Sequence, residues 1–153
     1  MSFETMKDVL DHARKFHREV SEFYGRLTQK KQKERVKILL DYMSRHEKHL
    51  EESLAQYEEG VSEKILNTWL QYPPPKETLD LCKKLSIEDN ENLTVEQVIE
   101  LALKLDDCLV NLYRMMIESA ETEEIKEVFA NLLAMEKQEE INLVRDTLRF
   151  DGI

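Results

Sequence analysis

The chain of 153 residues has only three Gly and three Pro, so it offers few positions for tight turns. A β-sandwich or a β-barrel needs many turns, and the sequence therefore argues against both folds. Aromatic residues make up only 7%, and the two cysteines lack the spacing of a zinc knuckle. No apolar run approaches the roughly 18 residues of a membrane-spanning helix, so we expect no membrane insertion.

An excess of positive charge is also lacking, because 22 Lys and Arg stand against 32 Asp and Glu and give a formal net charge of −10. A surface that binds phosphate groups needs basic residues, so we expect neither a nucleic acid nor an anionic membrane as a partner. The N-terminal segment MSFETMKDVL lacks the apolar centre of a signal peptide. We therefore expect a cytoplasmic protein with reduced thiols.

Four long segments repeat apolar residues at helical spacing, over residues 4–27, 33–57, 95–119 and 123–148. Thr94, followed by Gln97 three residues later, predicts a capping box at the start of the third helix. Thr122, which precedes Glu123 and Glu124, predicts an N-cap for the fourth helix. Short links within each pair predict two antiparallel hairpins, over 4–57 and 94–149.

Residues 58–93 join the two hairpins and contain three consecutive prolines at 73–75, which no helix interior tolerates. We expect a short helix on either side of the prolines, near Ser62–Gln71 and Lys76–Leu85. The predicted fold is all-α, a single domain over residues 1–153. In it, the long Pro-containing crossover connects two hairpins of a four-helix bundle.

The two hairpins also match each other in sequence at a shift of 89 positions. Ten of 48 aligned pairs are identical between Lys7–Leu54 and Glu96–Leu143, and Glu47 paired with Glu136 is one of them. A fixed period indicates one supersecondary unit that is used twice. The repeat therefore predicts two hairpins related by a pseudo-twofold axis.

Ionisable residues interrupt the apolar stripes, where a buried unpaired charge is costly. Carboxyl groups that share a core without a buried Lys or Arg need a cation to stay ionised together. A divalent metal ion supplies that charge, since imidazole nitrogen and carboxylate oxygen are ordinary donors. We predict six metal ligands: His17, His46, Glu47, Asp106, Glu136 and Glu139.

Several alternatives remain open for these residues. Some carboxyl groups can be protonated or lie in water at the rim of the bundle. His17 can instead be a core histidine bonded to a neighbouring carboxylate, and His46 can be a partner of a ligand. His49 is expected on the surface.

The hairpins resemble the ferritin-like, rubrerythrin-type di-iron bundles, in which two helices each supply a Glu and two each supply a Glu-x-x-His pair. In that family the first-helix ligand precedes a Tyr by seven residues. Tyr24 places this position at His17, and Tyr113 places its repeat mate at Asp106. The resemblance covers about 100 residues and implies a ferritin-like fold.

Thirty residues after these positions, Glu47 and Glu136 match the family residue by residue. The histidines of the two Glu-x-x-His motifs are replaced by Leu50 and Glu139, and the first-helix glutamates are also replaced. The four-cysteine rubredoxin module of rubrerythrins is absent. The sequence therefore resembles the family with an altered ligand set.

The resemblance implies an oxidoreductase that holds one or two iron ions and reacts with dioxygen or peroxide. Zinc and manganese are the alternative metals. The alternative function is a non-enzymatic helical bundle with a vestigial or structural metal site, which acts in dimerisation or partner binding.

The third helix carries a second apolar stripe beside the one that faces the core. It consists of Leu103, Val110 and Ile117, widened by Leu101, Leu112 and Met115. A helix that is apolar on more than one side is covered by something outside its own bundle. Either the crossover or a second subunit can supply that cover, and we expect a homodimer.

Overall fold

The computed structural model describes residues 5–73 and 91–151. Within these residues the chain forms five helices: α1 Met6–Thr28, α2 Glu34–Glu59, α3 Glu63–Leu66, α4 Val95–Glu118 and α5 Glu123–Asp151. Apart from an isolated bridge between Thr5 and Trp69, this part of the chain contains no β-structure. The prediction of an all-α protein is confirmed for it.

Side-chain caps lie at the start of three of the four long helices, whereas Lys33 at the start of α2 makes no such bond. At α4 the Thr94 hydroxyl accepts from the Gln97 amide at 3.1 Å, and the Gln97 side chain accepts from the Thr94 amide at 2.9 Å. The Thr122 hydroxyl accepts from the Ile125 amide at 3.2 Å at the start of α5. Both predicted caps are therefore present, and Thr5 forms a further capping box at α1.

Helices α1 and α2 lie antiparallel. Near the middle of the pair, the Ser21 hydroxyl donates to the Ser44 carbonyl at 2.8 Å. Nearer the start of α1, Arg18 Nε donates to Glu51 Oε1 at 2.9 Å. Earlier residues of α1 thus meet later residues of α2, as the short link between them predicts.

Helix α5 packs against α4 and also contacts α2. The rings of Tyr113 and Phe129 lie 6.2 Å apart between α4 and α5. On the other side, Tyr42 donates from its hydroxyl to Asp146 at 2.9 Å, and Asn131 donates to the Tyr57 hydroxyl at 3.0 Å. Helices α2 and α5 therefore run antiparallel as well.

The core lies between these four helices and consists mainly of aliphatic side chains at the predicted stripe positions. The largest fully buried side chains come from all four helices and are Tyr24, Tyr113, Phe129, Met6, Leu10, Leu39, Leu40, Met43, Leu105 and Leu109. Burial of this apolar surface is the main favourable term in folding. The same packing fixes the direction of every polar side chain that shares the core.

The segment that follows α2 differs from the helices predicted for it. Helix α3 covers only Glu63–Leu66, so the expected helix over Ser62–Gln71 is wrong beyond its first turn. Tertiary contacts occupy the backbone there, because Trp69 pairs with Thr5 and the Gln71 amide donates to Glu121 at 2.9 Å. The second expected helix, Lys76–Leu85, lies outside the described residues.

The second apolar stripe of α4 is partly covered. Val110 and Leu112 are buried, Leu103 and Ile117 are half-buried, and Met115 is exposed. The homodimer that this stripe suggests stays a prediction.

Two further expectations concern thiols and membranes. Cys108 is disulfide-bonded, which contradicts the expectation of reduced thiols, and Cys82 lies outside the described residues. The thiols therefore give no support to a cytoplasmic location. None of the helices in residues 5–73 and 91–151 is long and apolar enough to cross a bilayer.

Candidate metal centre

Each of the four long helices places an imidazole or a carboxyl group deep in the core. His17 on α1, Glu47 on α2, Asp106 on α4 and Glu136 on α5 each retain no more than 3% of their accessible surface. Their helical spacing predicts this inward direction. We call these four residues the inner cluster.

His17 lies between the two glutamates of the inner cluster. Its Nδ1 is 2.5 Å from Glu47 Oε2, and its Nε2 is 2.7 Å from Glu136 Oε1. Both contacts are hydrogen bonds of the kind that shortens when donor and acceptor are charged. The imidazole therefore connects α1 to both α2 and α5, and both of its nitrogens are engaged.

The charges around His17 decide its protonation. Burial alone lowers the pKa of the imidazole, but the charges of Glu136 and Glu47 and their hydrogen bonds outweigh it, so the pKa lies well above its ordinary value. An imidazolium can donate from both nitrogens at once, whereas a neutral ring can donate from only one. The geometry and the charges thus agree on a protonated His17 that donates to both glutamates.

Asp106 is the remaining carboxyl group of the inner cluster. Burial raises its pKa well above the ordinary value, and the charges of Glu47 and Glu136 raise it further, while His17 opposes the shift. A proton on Asp106 removes one negative charge from a core that already holds two carboxylates. Burial and the two neighbouring carboxylates thus favour the protonated form of Asp106 more than water does.

Three buried polar atoms near the cluster have no hydrogen-bond partner among the described residues. They are Glu136 Oε2 and the hydroxyl oxygens of Tyr24 and Tyr113. Burial, followed by the charges of Glu47 and Asp106, raises the pKa of Tyr24, and burial with Glu136 does the same for Tyr113. Both side chains therefore favour the neutral phenol form.

The other two predicted ligands, His46 and Glu139, form an ion pair with each other. His46 Nδ1 lies 3.8 Å from Glu139 Oε2, and neither residue has a hydrogen bond to the four inner side chains among those found in the described residues. His49 is exposed, as predicted. The six predicted ligands thus divide into an inner set of four and an outer pair.

Two other polar groupings were not foreseen from the sequence. Glu140 shares a hydrogen bond with Asp107, and burial together with that bond raises the pKa of Glu140 to about 7. At the far end of α2, buried Glu58 binds Arg14 at 3.1 Å and Lys7 at 3.5 Å. Glu58 follows Leu54 by four residues on the inward stripe, and this spacing was a signal for its burial.

The inner cluster suits a divalent ion in its chemistry. It offers an imidazole and three carboxyl groups, and the unpartnered Glu136 Oε2 is an acceptor that a cation can satisfy. However, within residues 5–73 and 91–151 no three His, Cys, Asp or Glu side chains are arranged so that they could hold a metal ion as they stand. His17 occupies the space between the two glutamates, so metal binding requires it to move.

Comparison of the chain with family models, with curated proteins and with solved structures finds no match. The resemblance to ferritin-like proteins therefore stays a prediction from the residues.

Proposed function

We propose that the inner cluster is a binding site for a divalent transition metal, iron in the first place, within a ferritin-like four-helix bundle. The observation that carries this proposal is that His17, Glu47 and Glu136 bond to one another in the core and that the charge of each acts on buried Asp106. Polar groups that serve only stability are expensive in such a core. A bound ion would give all four helices a common partner.

In the metal-free protein, His17 supplies the positive charge that the carboxylates need. Its two short bonds to Glu47 and Glu136 satisfy one oxygen of each carboxylate. A metal ion would compete with the imidazolium for these carboxylates. Because ligands must be deprotonated to bind a metal, uptake of the ion releases protons from the cluster.

Bound iron would supply redox chemistry with dioxygen or peroxide, as the resemblance implies. Glu47, Glu136, Asp106 and the freed His17 nitrogen would hold the ion. Asp106 is also the group best suited to take up or release a proton, because its pKa is raised. The substrate beyond the oxidant stays open in this proposal.

A second candidate function is favoured by the engagement of both His17 nitrogens. In it the imidazolium is the permanent cation of the core, and the protein is a non-enzymatic helical bundle that acts in dimerisation or partner binding. A histidine that donates to both glutamates leaves no ring lone pair for a metal.

Metal titration of chelator-treated protein distinguishes the two candidates. We expect Fe(II), added without oxygen, and Zn(II) to bind with release of at least one proton, measured by calorimetry in two buffers of different ionisation enthalpy. At a hundredfold excess over the dissociation constant, the ion would add about 2.7 kcal/mol to the free energy of unfolding. For a chain of this length that raises the melting temperature by about 5–10 °C.

Matched variants identify the site. Replacing both Glu47 and Glu136 with Gln should abolish proton-coupled binding, while the same change at exposed Glu52 and Glu127 should leave it intact. If neither metal binds the wild-type protein nor changes its melting temperature, the metal proposal is wrong and the second candidate holds.

A further inference from the structure

Each hairpin carries a pair of side chains that crosses its helix seam beside the inner cluster. In the first hairpin, Arg18 Nε donates to Glu51 Oε1 at 2.9 Å. The positions 89 residues later are Asp107 and Glu140, whose carboxyl groups share a hydrogen bond across the seam of α4 and α5. The repeat therefore keeps the glutamate and replaces the cation by an acid.

The second pair lacks the positive charge that the first pair contains. Two carboxyl groups that meet need a proton or a cation between them, because two carboxylates repel each other. Glu140 Oε1 is buried, and no amide, guanidinium, ammonium or hydroxyl group of the described residues donates to it. Lys137 acts on Glu140, but its repeat mate Lys48 is also a lysine, so Lys137 does not take the place of Arg18. The place that the guanidinium fills in the first hairpin is thus acidic in the second.

A graded series of carboxyl groups leads from solvent to the inner cluster along the seam of α4 and α5. Asp107 is exposed, Glu140 is half-buried, and Glu136 is buried. Glu136 lies one helical turn before Glu140, and the charges of the two side chains act on each other. Glu136 Oε2 has no hydrogen-bond partner among the described residues. A buried acceptor without a partner calls for a donor or a cation that can reach it.

Two other seams border the inner cluster, and each carries a basic side chain. Between α1 and α2 this side chain is Arg18, and between α2 and α5 it is His46, which pairs with Glu139 at 3.8 Å. Acidic clefts attract cations, whereas a guanidinium repels them. Of these three seams, the one between α4 and α5 is therefore the most favourable path for a cation.

We propose that Asp107 and Glu140 form the entrance through which a divalent cation reaches the inner cluster, a role that rests on the proposed function of that cluster. The exposed Asp107 attracts the ion, Glu140 takes it over, and Glu136 receives it. Two carboxyl groups are too few ligands to hold zinc or iron firmly, so the pair passes the ion on and does not retain it. An entrance of this kind changes the rates of binding and release by the same factor and leaves the affinity unchanged.

Replacing Asp107 with Arg copies the pair of the first hairpin and tests the entrance. Stopped-flow mixing of Zn(II) with chelator-treated protein, with the released protons followed by a pH indicator, gives the association rate constant. A chase with excess chelator gives the dissociation rate constant. For Asp107→Arg at low salt, we expect both rate constants to fall by at least about tenfold, with the affinity changed by less than about threefold. Added salt should shrink the difference, since it screens exposed charges.

Two further variants control for net charge. Glu127→Arg makes the same change in charge at an exposed position of α5 and should alter the association rate constant by less than about twofold. Arg18→Asp combined with Asp107→Arg keeps the net charge of the wild type and moves the acidic pair to the first hairpin, where Glu51 lies one turn after Glu47. We expect this exchange to restore the association rate constant to within about threefold of the wild-type value.

The entrance and the inner site fail on different results. An association rate constant that Asp107→Arg leaves unchanged, or that Glu127→Arg lowers equally, refutes the entrance and leaves the inner site. A loss of affinity without a slower association also refutes the entrance. If the wild-type protein binds no metal ion, the inner site and its entrance are both refuted. If Asp107→Arg loses helicity, Asp107→Asn replaces it, with an expected decrease of about threefold in both rate constants.

Discussion

Replacing His17 with Gln removes the positive charge between Glu47 and Glu136 while keeping a polar side chain in the core. Removing one partner of a buried ion pair costs about 3–5 kcal/mol, because the remaining charge has no compensation. Here two carboxylates lose their shared donor at once. For a chain of this length, the same loss lowers the melting temperature by roughly 6–20 °C.

Urea unfolding followed by circular dichroism, with chelator present at neutral pH, measures the effect of His17→Gln. His49→Gln is the matched control, because His49 is exposed on α2 and should change the free energy of unfolding by less than about 0.5 kcal/mol. Adding Glu47→Gln and Glu136→Gln to His17→Gln should restore part of the lost stability, since it removes the unpaired charges. The deficit should also shrink in acid, where the carboxyl groups take up protons.

Equal unfolding free energies for His17→Gln and His49→Gln would refute this reasoning. A second refuting result concerns the variant that combines His17→Gln, Glu47→Gln and Glu136→Gln. It would be a loss of unfolding free energy, relative to His17→Gln, equal to the sum of the losses caused by Glu47→Gln and Glu136→Gln alone. That result would mean that the three side chains contribute independently.

Three other predictions address the core and the helix ends. Because the folded-state pKa values of His17 and Asp106 lie above their ordinary values of 6.5 and 3.8, folding binds protons. The stability that the two groups contribute is complete below their ordinary pKa values and is lost as the pH rises through their raised, folded-state pKa values. Chelator-treated protein should therefore unfold at a lower urea concentration at pH 9 than at pH 6.5. A higher urea midpoint at pH 9 would contradict this prediction. Tyr113→Phe removes a buried hydroxyl that has no hydrogen-bond partner among the described residues, so it should leave the free energy of unfolding unchanged or raise it by about 1 kcal/mol. A clear decrease of that free energy in urea unfolding would contradict the prediction and show that the hydroxyl does bind a partner. Thr94→Ala removes the capping box of α4 and should cost about 0.5–2 kcal/mol in the same assay, while Thr94→Ser should recover most of it.

The long helices follow from the sequence because apolar spacing and caps act locally. Their predicted bounds differ from the observed ones by no more than three residues. The segment after α3 could not be predicted in this way. Its backbone is paired with Thr5 and bonded to Glu121, residues that are distant in sequence, and such tertiary contacts override local helix preference.

The sequence predicts that the side chains of the inner cluster point into the core, but it does not predict which of them form hydrogen bonds with each other. Helical spacing gives the direction of His17, Glu47 and Glu136, and one considered alternative was a core histidine bonded to a carboxylate. Which carboxylate it reaches depends on the separation and rotation of three helices. These are set by packing across the whole core.

The position of His17 between Glu47 and Glu136 bears on how a chain with two repeated hairpins can evolve. The two glutamates are equivalent positions of the internal repeat, so a side chain that reaches both lies where the halves meet. If one hairpin were a separate gene product that paired with its own copy, two imidazoles would compete for that place. Joining two hairpins in one gene lets each half mutate alone, with histidine in the first and Asp106 in the second. A fused chain can therefore build a core that a homodimer of a single hairpin could not.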